Sequence, residues 1–282
     1  MSIARLMQMG AAGNVPSGPV WTDPDLANAS YDSVSFSVAG QDSVPLGLAI
    51  SEDGSKFYVT GNTNDSVFQY NLSSPWDITT ASYSGNSLSV AAQDGSPFSI
   101  IFKTDGLKMY LVGSFTDTIY QYSLTTAWDI STASYDSVSF SVTSQASFPV
   151  DVAFKGDGTK MYVLGNTVDT IFQYALSTAW DVSTASYESK SLSVTSQEAS
   201  PTSMFVSPTG SAVYISGNNN NTVYQYDLST AWDISTGVYN AAQTFSVGSI
   251  SVFQYGLNFK SDGSKMYTVS LASDRIYQYS TA

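Results

Sequence analysis

Apolar and polar positions fall into short runs that recur along the chain. The stretch KGDGTKMYVLGNTVDTIFQYALSTAWDVSTASY, from Lys155 to Tyr187, has near-copies starting at Ser51, Lys103, Ser207 and Lys260. The turn glycines Gly54, Gly106, Gly158, Gly210 and Gly263 lie 52, 52, 52 and 53 residues apart. A period this constant predicts one supersecondary unit used five times, each burying its faces on its neighbours. In the third unit the pattern predicts strand A at Val150 to Phe154, a turn at Asp157-Gly158, strand B at Met161 to Leu164, strand C at Thr170 to Leu176 and strand D at Ser191 to Val194. Strands A to C are apolar on both faces, as in MYVL and IFQYAL, which suits strands sandwiched between neighbouring sheets. Strand D alternates: Val34, Phe36 and Val38 stand against Ser33, Ser35 and Ser37, the mark of a half-solvated outer strand.

The register of the termini predicts closure. Residues Trp21 to Val38 match the second half of a repeat, Ala127 to Val142, whereas the last copy stops after Tyr279 before any fourth strand. Tyr31, Tyr83, Tyr135, Tyr187 and Tyr239 recur every 52 residues, so Tyr31 belongs to the same series. The expected fold is all-β: a five-bladed β-propeller of about 52 residues per blade, its last blade completed by the N-terminal strand. Such closure removes free sheet edges. Residues 19–282 form the propeller. Residues 1–18 stand outside it as a tail, with Ile3, Leu6, Met7 and Met9 at roughly helical spacing before a Gly, Pro and Ser-rich linker.

Composition narrows the chemistry. The 282 residues contain no Cys and no His, which removes disulfides, thiolate nucleophiles, the commonest general base and the usual zinc ligands. With 10 Lys and Arg against 23 Asp and Glu, a net charge of −13 opposes nucleic acid. No apolar run of about 18 residues is present, so no membrane span is expected, and the opening lacks the apolar core of a secretory signal.

The segments DGSKFYVTG and DGTKMYVLGNTVDT resemble the repeat of YVTN-type propellers, found in many surface and secreted proteins. The likeness runs from Trp21 to Tyr279 with a longer period. The Trp-Asp pairs lack the Gly-His partner and shorter spacing of WD40 repeats. The Ser, Thr and Tyr-rich unit and the opening MSIARLMQMGAAG are similar to virion-associated proteins of marine bacteriophages. That resemblance implies a virion location and a binding or structural role without enzymatic activity or cofactor. The propeller would decorate the particle or contact the host surface. Residues 1–18 would dock it to other virion proteins, and a host-surface glycan or protein would be its outward partner. A glycan-binding lectin with sites between blades is the chief alternative; a propeller-class hydrolase or lactonase is the other.

Each candidate site has a structural counterpart. Trp76, Trp128, Trp180 and Trp232, each followed by Asp, could stack on sugars, or plug the gap between blades while the Asp caps the next turn. Asp65, Asp117, Asp169, Asn221 and Asp274 could bind a cation, but no D-x-D-x-D-G spacing supports a metal site, and an Asx turn serves as well. On strand A, Asp151 is the one carboxylate in the series Gly47, Ser99, Asp151, Ser203 and Gly256, so a glycosidase lacks its second carboxylate. Gln41, Gln93, Gln145 and Gln197, with Ile250 in the fifth place, could ring the channel mouth or satisfy loop backbone. Beside them the B-to-C loops vary, and Asn64, Phe115 and Asn219 are the residues expected to recognise a ligand. Seven of the ten basic residues flank the A-to-B hairpins, which leaves the variable-loop face acidic and marks it as the expected working face.

Overall fold

The computed structural model describes residues 20–281. The docking segment read at residues 1–18 lies outside the described residues. Five four-stranded antiparallel sheets form the blades, each with its strands in meander order. The first strand, β1 (Ser30–Ser37), is set apart from the blade that follows it. Blade one is β2 (Pro45–Ile50), β3 (Lys56–Gly61), β4 (Ser66–Leu72) and β5 (Ala81–Ser89). Blade two is β6 (Pro97–Phe102), β7 (Lys108–Gly113), β8 (Thr118–Leu124) and β9 (Ala133–Ser141). Blade three is β10 (Pro149–Phe154), β11 (Lys160–Gly165), β12 (Thr170–Leu176) and β13 (Ala185–Ser193). Blade four is β14 (Pro201–Val206), β15 (Ala212–Gly217), β16 (Thr222–Leu228) and β17 (Gly237–Ser246). Blade five is β18 (Gln254–Phe259), β19 (Lys265–Ser270) and β20 (Arg275–Ser280), completed by β1.

The closure read from the sequence is present. Strand β1 pairs antiparallel with β20 from Ser30 opposite Ser280 to Ser37 opposite Arg275. Asp32 ties the seam, accepting hydrogen bonds from Lys265 (2.6 Å), Gln278 (2.8 Å) and Ser280 (2.6 Å). The same device recurs inside blades two and three as Lys108 with Asp136 and Lys160 with Glu188.

The outer strand differs from the expected one. In blade three it starts at Ala185, six residues before Ser191, because the segment after the Trp-Asp turn also pairs with β12, Tyr174 facing Tyr187. A break in register between Gln173 and Tyr174 absorbs the surplus residues, with Ser189 in left-handed backbone (φ 57°). This is a β-bulge, and the strict alternation of the sequence describes only the half of the strand beyond it.

The core lies between blades. One apolar cluster joins Tyr110 and Val112 of blade two, Met161 and Val163 of blade three, and Val213 and Ile215 of blade four. Strands A to C bury both faces because each blade is covered by its two neighbours, as their apolar runs required. No helix among the described residues is long and apolar enough to cross a membrane.

Candidate functional site

In an antiparallel meander the A-to-B hairpins and the C-to-D links emerge on one face of the disc, and the B-to-C and blade-to-blade loops on the other. The Trp-Asp turns are C-to-D links, so they stand beside the A-to-B hairpins. Trp76, Trp128, Trp180 and Trp232 donate their backbone N–H to Gly54, Gly106, Gly158 and Gly210 at 2.9, 3.0, 3.0 and 3.0 Å. Each indole lies directly on its turn glycine, where an added Cβ would overlap the ring. Those glycines also have φ between 69° and 74°, so they meet two needs at once.

The tryptophans themselves have left-handed backbone, with φ of 65°, 62°, 65° and 65°. For a bulky residue that conformation costs roughly 1–2 kcal/mol. Inter-blade bonds offset it: the hydroxyls of Tyr267, Tyr58, Tyr110 and Tyr162 donate to the carbonyls of Trp76, Trp128, Trp180 and Trp232 at 2.7, 2.6, 2.7 and 2.9 Å. The following Asp77, Asp129, Asp181 and Asp233 cap one-turn 3₁₀ helices by accepting backbone N–H bonds of 3.0, 3.0, 3.0 and 3.2 Å, as the capping alternative required.

These half-buried indoles rim a cavity of about 450 Å³ where the central channel opens. Trp21 completes the ring, although it is not followed by Asp. It arrives by another path: the Thr22 carbonyl sits on Gly263, while the Trp21 ring stacks on Phe205 (5.5 Å, 25°) and meets Phe259 edge-on (6.2 Å, 86°). All five tryptophans of the chain therefore line one cavity. Below the rim the wall is mainly apolar, from Ile50, Phe102, Phe154, Val206 and Phe259, with Asn258 among its polar residues.

Asp151 lies at the floor, buried and saturated. One carboxylate oxygen accepts from Ser99 Oγ (2.7 Å) and the Val152 N–H (2.9 Å); the other accepts from Ser203 Oγ (2.9 Å) and the Met204 N–H (2.8 Å). Burial pushes its pKa up to about 6 despite these four donors. It thus ties blades two, three and four around the channel. The other carboxylate on the cavity is Glu52, in the A-to-B turn of blade one. By its place in the repeat it stands five residues along the strand from the level of Asp151, roughly 15 Å at the usual rise. A glycosidase pair needs a separation of about 5–9.5 Å. Around the rim, ion pairs of 2.7 Å join Lys103 to Asp105, Lys155 to Asp157 and Lys260 to Asp262, so this face is electrostatically mixed, as its lysine-rich hairpins implied.

The opposite face holds the other sequence-derived candidates, and most of their polar groups are engaged internally. The carboxamide oxygens of Gln41, Gln93, Gln145 and Gln197 accept from the hydroxyls of Tyr70, Tyr122, Tyr174 and Tyr226 at 2.9, 2.8, 3.2 and 2.9 Å. Those tyrosines stand on the third strand of each blade, two strands out from the channel, so the oxygens are turned away from its mouth. In the fifth place Ile250 has no such group, and the Tyr279 hydroxyl has no partner among the described residues.

Asp42, Asp94 and Glu198 are buried and accept backbone N–H bonds from the loops. These carboxylates therefore serve as staples between two loops and add little to the acidity of the surface. Asp65, Asp117, Asp169, Asn221 and Asp274 all adopt left-handed turns, with φ between 46° and 51°, the geometry an Asx residue tolerates best. Asn64 donates to the Gln41 carbonyl (2.9 Å), the Asn219 N–H donates to Glu198 (3.0 Å), and Phe115 is 80% exposed. The apolar cavity with the tryptophan ring thus opens on the face opposite the variable loops. The meander rule applied to the C-to-D links would have found it from sequence.

No protein-family model matches the chain, and no curated protein does. The solved structures similar to it share little sequence with it. A protein from Bacteroides fragilis assigned provisionally as a 6-phosphogluconolactonase is 16% identical over 72% of this chain and 55% of its own length, with a TM-score of 0.48. The Pseudomonas aeruginosa periplasmic gluconolactonase PpgL gives 16%, 72%, 54% and 0.46. The propeller domain of Cps50 (Swd1) from Myceliophteria thermophila gives 14%, 81%, 66% and 0.46. The chain therefore spans little more than half the length of the two lactonase-named proteins, and these likenesses transfer no activity to it.

Proposed function

We propose that this chain is a non-enzymatic binding module whose recognition site is the tryptophan-rimmed cavity, and that its ligand is apolar. The observation that carries the reading is the cavity itself: five indoles above an apolar wall, over a carboxylate whose oxygens are already taken. A volume of about 450 Å³ falls within the usual range of ligand pockets, roughly 300–1,000 Å³. Hydrolysis would need a second carboxylate or another base near Asp151. A saccharide would need many free donors and acceptors on the wall to replace its water, and a mainly apolar wall with a few polar side chains such as Asn258 leaves most of its hydroxyls unpaired.

Intrinsic fluorescence reports the site directly, because every tryptophan of the chain lines it. Titration with the apolar dye anilinonaphthalene sulfonate is expected to quench that fluorescence and saturate. The Trp128→Ala, Trp180→Ala double variant should bind at least about tenfold more weakly, a loss of about 1.4 kcal/mol. Unchanged dye affinity in the variant, or saturable binding of neutral glycans in place of the dye, would overturn the assignment.

The sequence resemblance to phage virion-associated proteins supports a finer placement. In it the module sits on the particle, residues 1–18 dock it to other virion proteins, and its exposed face meets a host-surface glycan or protein. Mass spectrometry of purified particles decides the matter, since absence of the chain from them removes the placement.

A further inference from the structure

The repeat itself shows what its indoles attract. Lys103, in the A-to-B turn of blade two, holds its ammonium 6.0 Å from the ring centre of Trp180 in blade three, and Lys155 of blade three stands 6.0 Å from that of Trp232 in blade four. A cation at this distance over an indole face is drawn to the negative centre of the ring. The same step along the sequence, taken back from Trp128 of blade two, reaches Ser51 of blade one. Trp128 therefore has a serine where its two successors have a lysine.

The next residue completes the contrast. Glu52 is exposed on the rim and has no ion-pair partner among the described residues, whereas Lys103, Lys155 and Lys260 are each paired with an aspartate of their own hairpin. Its counterparts Thr104, Gly156, Pro208 and Ser261 carry no charge. Blade four also has a serine, Ser207, in place of the lysine, but Pro208 follows it. Only blade one joins a missing lysine to an added carboxylate.

We propose that the cavity takes a ligand with a positively charged end, a quaternary ammonium or protonated amine on an apolar body, its cation over Trp128 beside Glu52 and its apolar part against the wall below. This rests on the reading of the cavity as an apolar binding site, and names the chemistry at its mouth.

The electrostatics of the rim favour a cation over a neutral or anionic head. Partial desolvation and the neighbouring Asp53 charge hold the Glu52 carboxyl above its ordinary value, and a cation beside it offsets both. The rim lysines that would attract an anion are already neutralised by Asp105, Asp157 and Asp262. The net charge of −13 adds a weaker, long-range attraction of the same sign. A quaternary ammonium suits the indole best, because it is poorly hydrated and gives up little water on leaving solvent.

Two probes with the same decyl tail and opposite heads test the proposal: decyltrimethylammonium and decyl sulfate, each well below its micelle concentration, with binding read by tryptophan fluorescence and calorimetry at physiological salt. The parent is expected to bind the ammonium at least about tenfold more tightly than the sulfate. Glu52→Gln should weaken the ammonium at least about tenfold, and so should Ser51→Lys, which matches blade one to its neighbours, while neither weakens the sulfate. Asp65→Asn, on the opposite face, removes the same charge at a place where blade four already has Asn221, and both affinities should stay within about twofold because salt screens so distant a charge.

A preference for the ammonium that survives Glu52→Gln and Ser51→Lys, or that falls equally with Asp65→Asn, would trace it to the net charge alone and overturn the proposal. Equal affinity for the two heads would overturn it as well, and in each of these cases the cavity remains the apolar binding site. Failure of both probes and of anilinonaphthalene sulfonate to bind would remove the reading of the cavity itself, and the proposal with it.

Discussion

Removing residues 20–40 is expected to abolish the cooperative thermal transition and drive the chain into aggregates. Strand β1 covers the edge of β20, and its loss leaves the backbone of Arg275–Ser280 open along a row of Ile and Tyr side chains. The deletion also takes Leu26, Val34, Phe36 and Val38 out of the clusters between blade five and its neighbours. Leu26 and Val38 are fully buried, a contribution of about 1.5–3 kcal/mol each, and the half-buried Val34 and Phe36 add less. Together with the lost strand pairing they are large against the whole stability of a typical domain, about 5–15 kcal/mol. Removing residues 1–18 should leave the fold intact. Circular dichroism melts with light scattering compare the two, and a parent-like melt for the longer deletion would show that the ring is closed by other means.

Asp151 is expected to make the protein less stable as pH rises. Its folded pKa of about 6 lies above its ordinary value of 3.8, so the folded state holds the proton more tightly than the unfolded one. The group's contribution is therefore fully present below about pH 4 and lost as pH rises through about 6. A shift of this size corresponds to about 3 kcal/mol. Asp151→Asn keeps the shape of the side chain without the titration, and its stability should change much less over the same window. The slope, not the level, is the readout, because the amide cannot accept all four hydrogen bonds. Glu198, also raised by burial, leaves a residual slope in both proteins. Equal slopes in urea denaturation midpoints from pH 4 to 7 would show that Asp151 does not govern the pH response.

The fold was readable because its signals are local and repeated. The glycine spacing marked the hairpins, and Tyr31 placed the first strand in the series of the others, which is the seam observed with β20. The bulge in the outer strand was not readable in this way, since Ser189 in left-handed backbone carries no composition signal that separates it from its neighbours.

At the site, the Asp caps were legible from the Trp-Asp pair. The fifth indole was not, because Trp21 reaches the rim through contacts with Phe205 and Phe259, far away in sequence. The glutamines offered a signal that composition alone conceals. Each stands 29 residues before the tyrosine it serves, and the blade that lacks the glutamine also leaves its tyrosine unpartnered. Variation in the B-to-C loops drew attention to one face, while the apolar cavity was built from the invariant parts of the repeat.

The seam also sets a timetable for synthesis. Asp32 and Gln278, hydrogen-bonded across it, are 246 residues apart in the chain. At roughly 5–20 residues per second, Asp32 leaves the ribosome on the order of ten to fifty seconds before its partner exists. Blades one to four can stack during that interval, but the ring stays open, with an unpaired first strand at one end and an uncovered sheet face at the other. Neighbouring nascent chains on one messenger present the same two surfaces to each other at the same moment. The interval before Gln278 emerges is therefore when a chaperone would have most to protect, and when strand exchange between copies competes most directly with closure.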